Sequence, residues 1–121
     1  MSGLDIRLKR AYLTPSFDYG VRLLVDRLWP RGLLKSEAAV DHWLKELAPS
    51  TEHRRWFAHD PRRWDGFRRR YEIELSGNAG LLDQLQPIAR RGRLTLVFAA
   101  RDEFHNQAIV IRDFLANSLK T

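Results

Sequence analysis

The residues richest in chemistry lie between Val25 and Gly32, in the run Val-Asp-Arg-Leu-Trp-Pro-Arg-Gly. Asp26 can act as a general base, ligate a metal or pair with an arginine. Arg27 and Arg31 offer planar, forked donor sets that hold a phosphate or carboxylate through two bonds at once. Trp29-Pro30 stiffens the turn between them. A second charged pair, Arg101-Asp102, comes after Ala99-Ala100, and Asn106 adds an amide donor one turn further on. The chemistry these types suggest is anion binding by Arg27, Arg31, Arg101 and Asn106, with Asp26 as the candidate catalytic acid/base.

Both clusters follow apolar runs. Val21-Arg22-Leu23-Leu24-Val25 has the length and branched content of a buried strand. Leu94 to Ala99 is apolar on both faces, as a central parallel strand must be. Open α/β sheets bind ligands just beyond the carboxyl ends of their strands. Asp26, Arg27 and Arg101 are therefore expected in one cleft, though far apart in sequence. Asp102 is expected to cap the following helix, whose free N–H groups beside Arg101 would form an anion pocket. The structural alternative is an ion pair from Asp26 to Arg101 or Lys45 that ties down the strand end.

The rest of the chain supplies helices between strands. Ile6 and Leu8 alternate with Arg7 and Lys9, the period of a strand with one wet face. Thr14 to Gly20 reads as a loop, Ser36 to Ala39 as one helical turn, and Trp43 to Leu47 as either strand or helix. Ser50 or Thr51 can cap a helix through Phe57, and Asp60-Pro61 starts another, with Asp as cap and Pro at the first turn. From there Trp64, Phe67, Tyr71 and Leu75 form one helical stripe, with Arg62 and Arg69 on the opposite face. Asn78 can cap a helix carrying Leu81, Leu82, Leu85 and Ile88, which Gly92 stops. A last helix is expected to bury Phe104, Ala108, Ile111 and Leu115. This order predicts one α/β domain over residues 1–121: a small three-layer domain with a mostly parallel sheet flanked by helices.

Composition narrows the class of partner. The 121 residues carry 21 basic and 15 acidic side chains, for a net charge of +6, and 17 of the basic residues are arginine. That balance favours an anionic partner, nucleic acid or a phosphorylated metabolite, while GC-rich codon usage is the bland account of arginine over lysine. No run approaches the length of a membrane span and no signal peptide is evident, so a cytoplasmic protein without membrane association is expected. The chain has no cysteine, which excludes disulfides, thiolate nucleophiles and Cys-based zinc sites. His42, His53, His59 and His105 lack metal-ligand spacing, and the glycines match no nucleotide-binding loop, so neither metal nor cofactor is expected. Four Trp and six Phe are many for so small a core, which suggests a homodimer.

Four motifs in order carry a family resemblance. They are Val25 to Gly32, Trp43-Leu44-Lys45-Glu46-Leu47-Ala48-Pro49-Ser50, Trp56-Phe57-Ala58-His59-Asp60-Pro61 and Ala99-Ala100-Arg101-Asp102. Together they resemble the bacterial YeaO-like family of small proteins, a domain of unknown function, over essentially the whole chain. The resemblance implies a three-layer α/β fold and no settled activity. The family typically reads Asn-His-Ala near the start of the last helix, where this chain has Asn106-Gln107-Ala108 preceded by His105.

Two functions remain after this reading. The first is a basic protein that holds an anionic partner through arginines without catalysis, most plausibly nucleic-acid backbone through Arg62 and Arg69 and without sequence specificity. The second is an enzyme acting on a small phosphate- or carboxylate-bearing substrate at the strand ends, with Asp26 as acid/base.

Overall fold

A computed structural model describes residues 5–13 and 20–118, apart from the side chains of Ala79, Leu81, Leu82 and Ser118. The strands are β1 (Ile6–Arg10), β2 (Val21–Leu24), β3 (His42–Trp43) and β4 (Leu94–Phe98). The helices are α1 (Lys35–Ala38), α2 (Thr51–Phe57), α3 (Trp64–Ser76), α4 (Ala79–Arg91) and α5 (Gln107–Ser118), with 3-10 turns at Lys45–Leu47 and Pro61–Arg63. The sheet runs β1-β4-β2-β3 and every pairing is parallel. This is a small α/β domain. The loop read between Thr14 and Gly20 lies, for residues 14–19, outside the described residues, as do the side chains of Leu81 and Leu82.

Alternation along the central strands separates two unequal faces. Leu23 and Val25, with Leu94, Leu96 and Phe98, join the large core that also takes Phe57, Phe67, Tyr71, Leu85, Ile111 and Leu115 from the helices. Leu24 and Val97 point the other way and pack with Ala11, Trp29, Leu33 and Val40. The second covering layer is thin, one helical turn and its flanking loops. The two-residue period of a strand leaves no other arrangement once one face is buried.

Arg22 sits within the buried strand β2 and is itself buried. Its Nε donates to the Ala39 carbonyl at 3.0 Å and its Nη2 to the Ala38 carbonyl at 2.8 Å. These are carbonyls at the end of α1, which no intrahelical donor can reach, so the charge caps a helix terminus that attracts cations. At the start of β2, Gly20 has φ +61° and a Cβ there would stand 2.2 Å from the Arg93 carbonyl oxygen. Only glycine fits both the backbone angle and the space.

The helix signals resolve unevenly. Ser50 Oγ accepts from the His53 amide, and Asp60 accepts from the Arg62 amide with Pro61 at the first position. Asn78 makes no side-chain cap bond. The segment Trp43 to Leu47 is both of the expected things in turn, a short strand and then a 3-10 turn. The last helix begins later than expected: Asn106 caps it, its Oδ1 accepting from the Ile109 amide, while Asp102 closes the turn before it. Phe104 therefore lies outside the helix and is exposed instead of joining the core stripe.

Candidate functional site: a basic cleft at the strand ends

Strands β2 and β4 are neighbours, with Leu24 beside Val97. Beyond β2 the chain turns to the thin face, where Trp29 and Leu33 pack. Beyond β4 it turns to the opposite face and enters α5, whose Ala108, Val110 and Ile111 belong to the large core. Two adjacent parallel strands whose connections leave to opposite faces open a crevice between their carboxyl ends. A cleft of about 910 Å³ lies there.

Asp26 stands at the seam. Its Oδ2 accepts from the Ala99 amide at 3.0 Å, and Gln107 Nε2 donates to Oδ1, so one carboxylate joins the ends of β2 and β4 and the start of α5. The Asp26 carbonyl accepts from the Trp43 indole at 2.8 Å. Burial raises the Asp26 carboxyl from 3.8 to about 6, against the two hydrogen bonds and the charges of Arg54 and His59, which lower it. Desolvation disfavours the charged form, and here it wins. The ion pair from Asp26 to Arg101 or Lys45 does not form; the amide and Gln107 take its place.

Arginines line the cleft. Arg27, Arg54, Arg55 and Arg101 all contribute, together with His59 and His105. Arg27 Nη2 reaches the Ala48 carbonyl at 3.4 Å and Arg54 Nη2 reaches Thr51 Oγ1 at 3.3 Å, both long bonds. Among the described residues the arginine–carboxylate pairs lie elsewhere: Arg7 and Arg93 with Asp5, Arg62 with Asp60, Arg68 and Arg112 with Asp113. At the cleft edge, Ala58 (φ 47°) and His59 (φ 55°) adopt left-handed backbone without being glycine. Such conformations persist only where the surroundings enforce them.

Asp26, Arg27, Arg101 and Asn106 thus share one lining, and Arg31 is not part of it. The turn after Leu28 carries Arg31 away, and its carbonyl accepts from the Tyr12 hydroxyl at 2.9 Å. Asn106 is only 2% exposed. Its Nδ2 donates to the Asp102 carbonyl and its Oδ1 holds the Ile109 amide, so its amide builds the helix start and is not free to serve a ligand. Arg62 and Arg69 lie outside the cleft; Arg62 places both Nε and Nη2 on the Asp60 carboxylate at 3.1 Å. Among the described residues no group of three or more His, Asp or Glu side chains is arranged to hold a metal ion, and no helix is long and apolar enough to cross a membrane.

Arg54, Arg55 and Gln107 were absent from the sequence's site. The signal for them was present: helices that begin soon after a parallel strand begin at its carboxyl edge. Ser50 caps α2 shortly after β3, which puts the first turns of α2 at the same edge as Asp26.

Fold and cleft define a small parallel α/β protein with a basic site at its strand ends. The profile of a family described as the inactive DUF488-N3 subclade matches residues 5–121. The chain is 39% identical over 112 residues to the uncharacterized protein YeaO of Escherichia coli strain K12, covering 93% of this chain and 97% of YeaO. It is 39% identical over 110 residues to the uncharacterized protein Mb3100c of Mycobacterium bovis, covering 91% and 92% of the two chains. The uncharacterized protein Rv3073c of Mycobacterium tuberculosis gives the same identity and coverage. The chain belongs to the YeaO-like family, within that subclade. No solved structure matches it.

Proposed function

We propose that the chain binds a small phosphate- or carboxylate-bearing ligand in the strand-end cleft and does not transform it. The observation that carries this reading is the set of four arginines, 27, 54, 55 and 101, gathered in one cleft, none of them in an ion pair with a carboxylate among the described residues. Guanidinium groups held this loosely are free to turn onto an oxyanion, and the N-terminus of α5 adds positive potential on the same side.

Catalysis has less support. Asp26 already accepts from Ala99 and Gln107. Gln107 stands where the resemblance expects histidine, and an amide cannot carry a proton at physiological pH. The subclade's description as inactive agrees with a binding role. Nucleic-acid backbone, the first reading of the charge, is supported by the net +6 but less by the face assigned to it, because Arg62 is committed to Asp60. The half-buried Trp56 ring offers little to a base: it packs against the core, and Arg70 lies 4.0 Å and Arg63 5.5 Å from its centroid.

Calorimetric titration with inorganic phosphate tests the proposal. Replacing the exposed Arg55 and Arg101 together by alanine should weaken binding roughly tenfold or more, since charged hydrogen bonds are lost. The Arg62→Ala, Arg69→Ala double variant should bind phosphate as the wild type does. Phosphate binding that survives loss of Arg55 and Arg101, or steeply salt-dependent duplex DNA binding abolished by loss of Arg62 and Arg69, would overturn it.

A further inference from the structure

Resting on that reading, we infer that the cleft's ligand is an oxyanion attached to a flat apolar body, of the aryl phosphate or aryl carboxylate kind, and not a bare inorganic anion. Size gives the first reason. A bare phosphate occupies on the order of five water volumes, roughly 150 Å³, against a cleft of about 910 Å³. A cleft that large suits an organic ligand.

The walls give the second. Leu28, Ala48, Pro49, Phe57, Phe67 and Ala100 all line the cleft between its charged groups. Phe57 and Phe67 stack with ring centroids 4.5 Å apart and form the apolar floor. Both are almost fully buried, so packing of the core accounts for them. Leu28 is different. It sits on the lip of the cleft beside Arg27 and is 70% exposed. The loop that leaves β2 thus holds a large, exposed apolar side chain on the lining of an arginine-rich cleft. An anion alone leaves Leu28 in water. An anion with an attached ring brings the ring to Leu28 while its charged head meets Arg27 and Arg101.

The probes are 1-naphthyl phosphate, inorganic phosphate and 1-naphthol, titrated calorimetrically into the full chain. Naphthyl phosphate should bind at least about tenfold more tightly than inorganic phosphate, the gain from removing roughly 60 Å² of ring surface from water. Naphthol should bind far more weakly than naphthyl phosphate. Leu28→Ser should shrink the preference for naphthyl over inorganic phosphate, whereas Ile73→Ser, equally exposed on α3 but outside the cleft, should leave it intact. Circular dichroism checks that both variants fold. Equal affinity for naphthyl and inorganic phosphate would overturn the apolar-body inference and leave the anion reading standing. Naphthol binding as tightly as naphthyl phosphate, or no binding by either phosphate, would overturn both.

Discussion

Asp26→Asn should stabilise the protein above neutral pH. The wild-type carboxyl is raised from 3.8 to about 6 because burial opposes its charge. One pKa unit is about 1.4 kcal/mol, so keeping Asp26 ionised in the fold costs up to about 3 kcal/mol. Because the folded-state value lies above the unfolded one, the native state binds the extra proton between about pH 4 and pH 6. The contribution of Asp26 to stability is therefore most favourable below about pH 4, declines as pH rises through about 6, and is flat above that. Asparagine removes the titration. Its carbonyl can keep the Ala99 amide, and Gln107 can turn its own amide over to accept from the new NH2 group. Neutral hydrogen bonds are weaker than the charge-assisted ones they replace, which leaves a net gain of about 1–2 kcal/mol at alkaline pH. For a chain of this size that is a rise of about 4–8 °C in melting temperature. Thermal unfolding of both proteins from about pH 4 to pH 8 measures it, and the gap should open only as pH rises. A variant less stable than the wild type at alkaline pH, or a gap independent of pH, would refute the idea that desolvation dominates at Asp26.

Three further outcomes follow from the same structure. Arg22→Met should cost about 2–4 kcal/mol in urea unfolding, because the side-chain stem still fits but the Ala38 and Ala39 carbonyls lose their charged donor; a loss below about 0.5 kcal/mol would show the cap is idle. Ala58→Gly should stabilise by up to about 1 kcal/mol by relieving left-handed backbone at the end of α2; a destabilised variant contradicts that strain. Gly20→Ala should be the most damaging small change, costing about 3 kcal/mol or more, since both angle and contact with the Arg93 carbonyl resist a Cβ; near-wild-type unfolding would refute it.

The strand ends were legible in the sequence because the apolar runs before Asp26 and Arg101 mark buried parallel strands without reference to anything distant. Parallel pairing then sends both ends to one edge, so Asp26, Arg27 and Arg101 meet. Strand order was not legible, since register depends on contacts such as Leu24 beside Val97, 73 positions apart in the chain. Arg22 was read as part of the buried strand Val21–Val25, but what satisfies its charge was not legible, because that depends on a helix end brought over the thin face of the sheet. Asn106 looked like a ligand donor for the same reason that it is a good cap, a short side chain carrying both a donor and an acceptor. Arg54 and Arg55 were hidden in an arginine-rich stretch whose repetition masks which members face the cleft. Arg31 shows the limit of proximity in sequence: four residues beyond Arg27, it already lies outside the site.

The central claim is that an oxyanion binds among Arg27, Arg54, Arg55 and Arg101. Titration of isotope-labelled protein with inorganic phosphate, followed by amide and arginine side-chain resonances, tests it most directly. Saturable shifts should concentrate on the side chains of Arg27, Arg54, Arg55 and Arg101 and on the amides of Ala99 to Asp102, with Arg62 and Arg69 unmoved. Absence of saturable shifts at the strand ends, or shifts centred on Arg62 and Arg69 instead, would contradict the account.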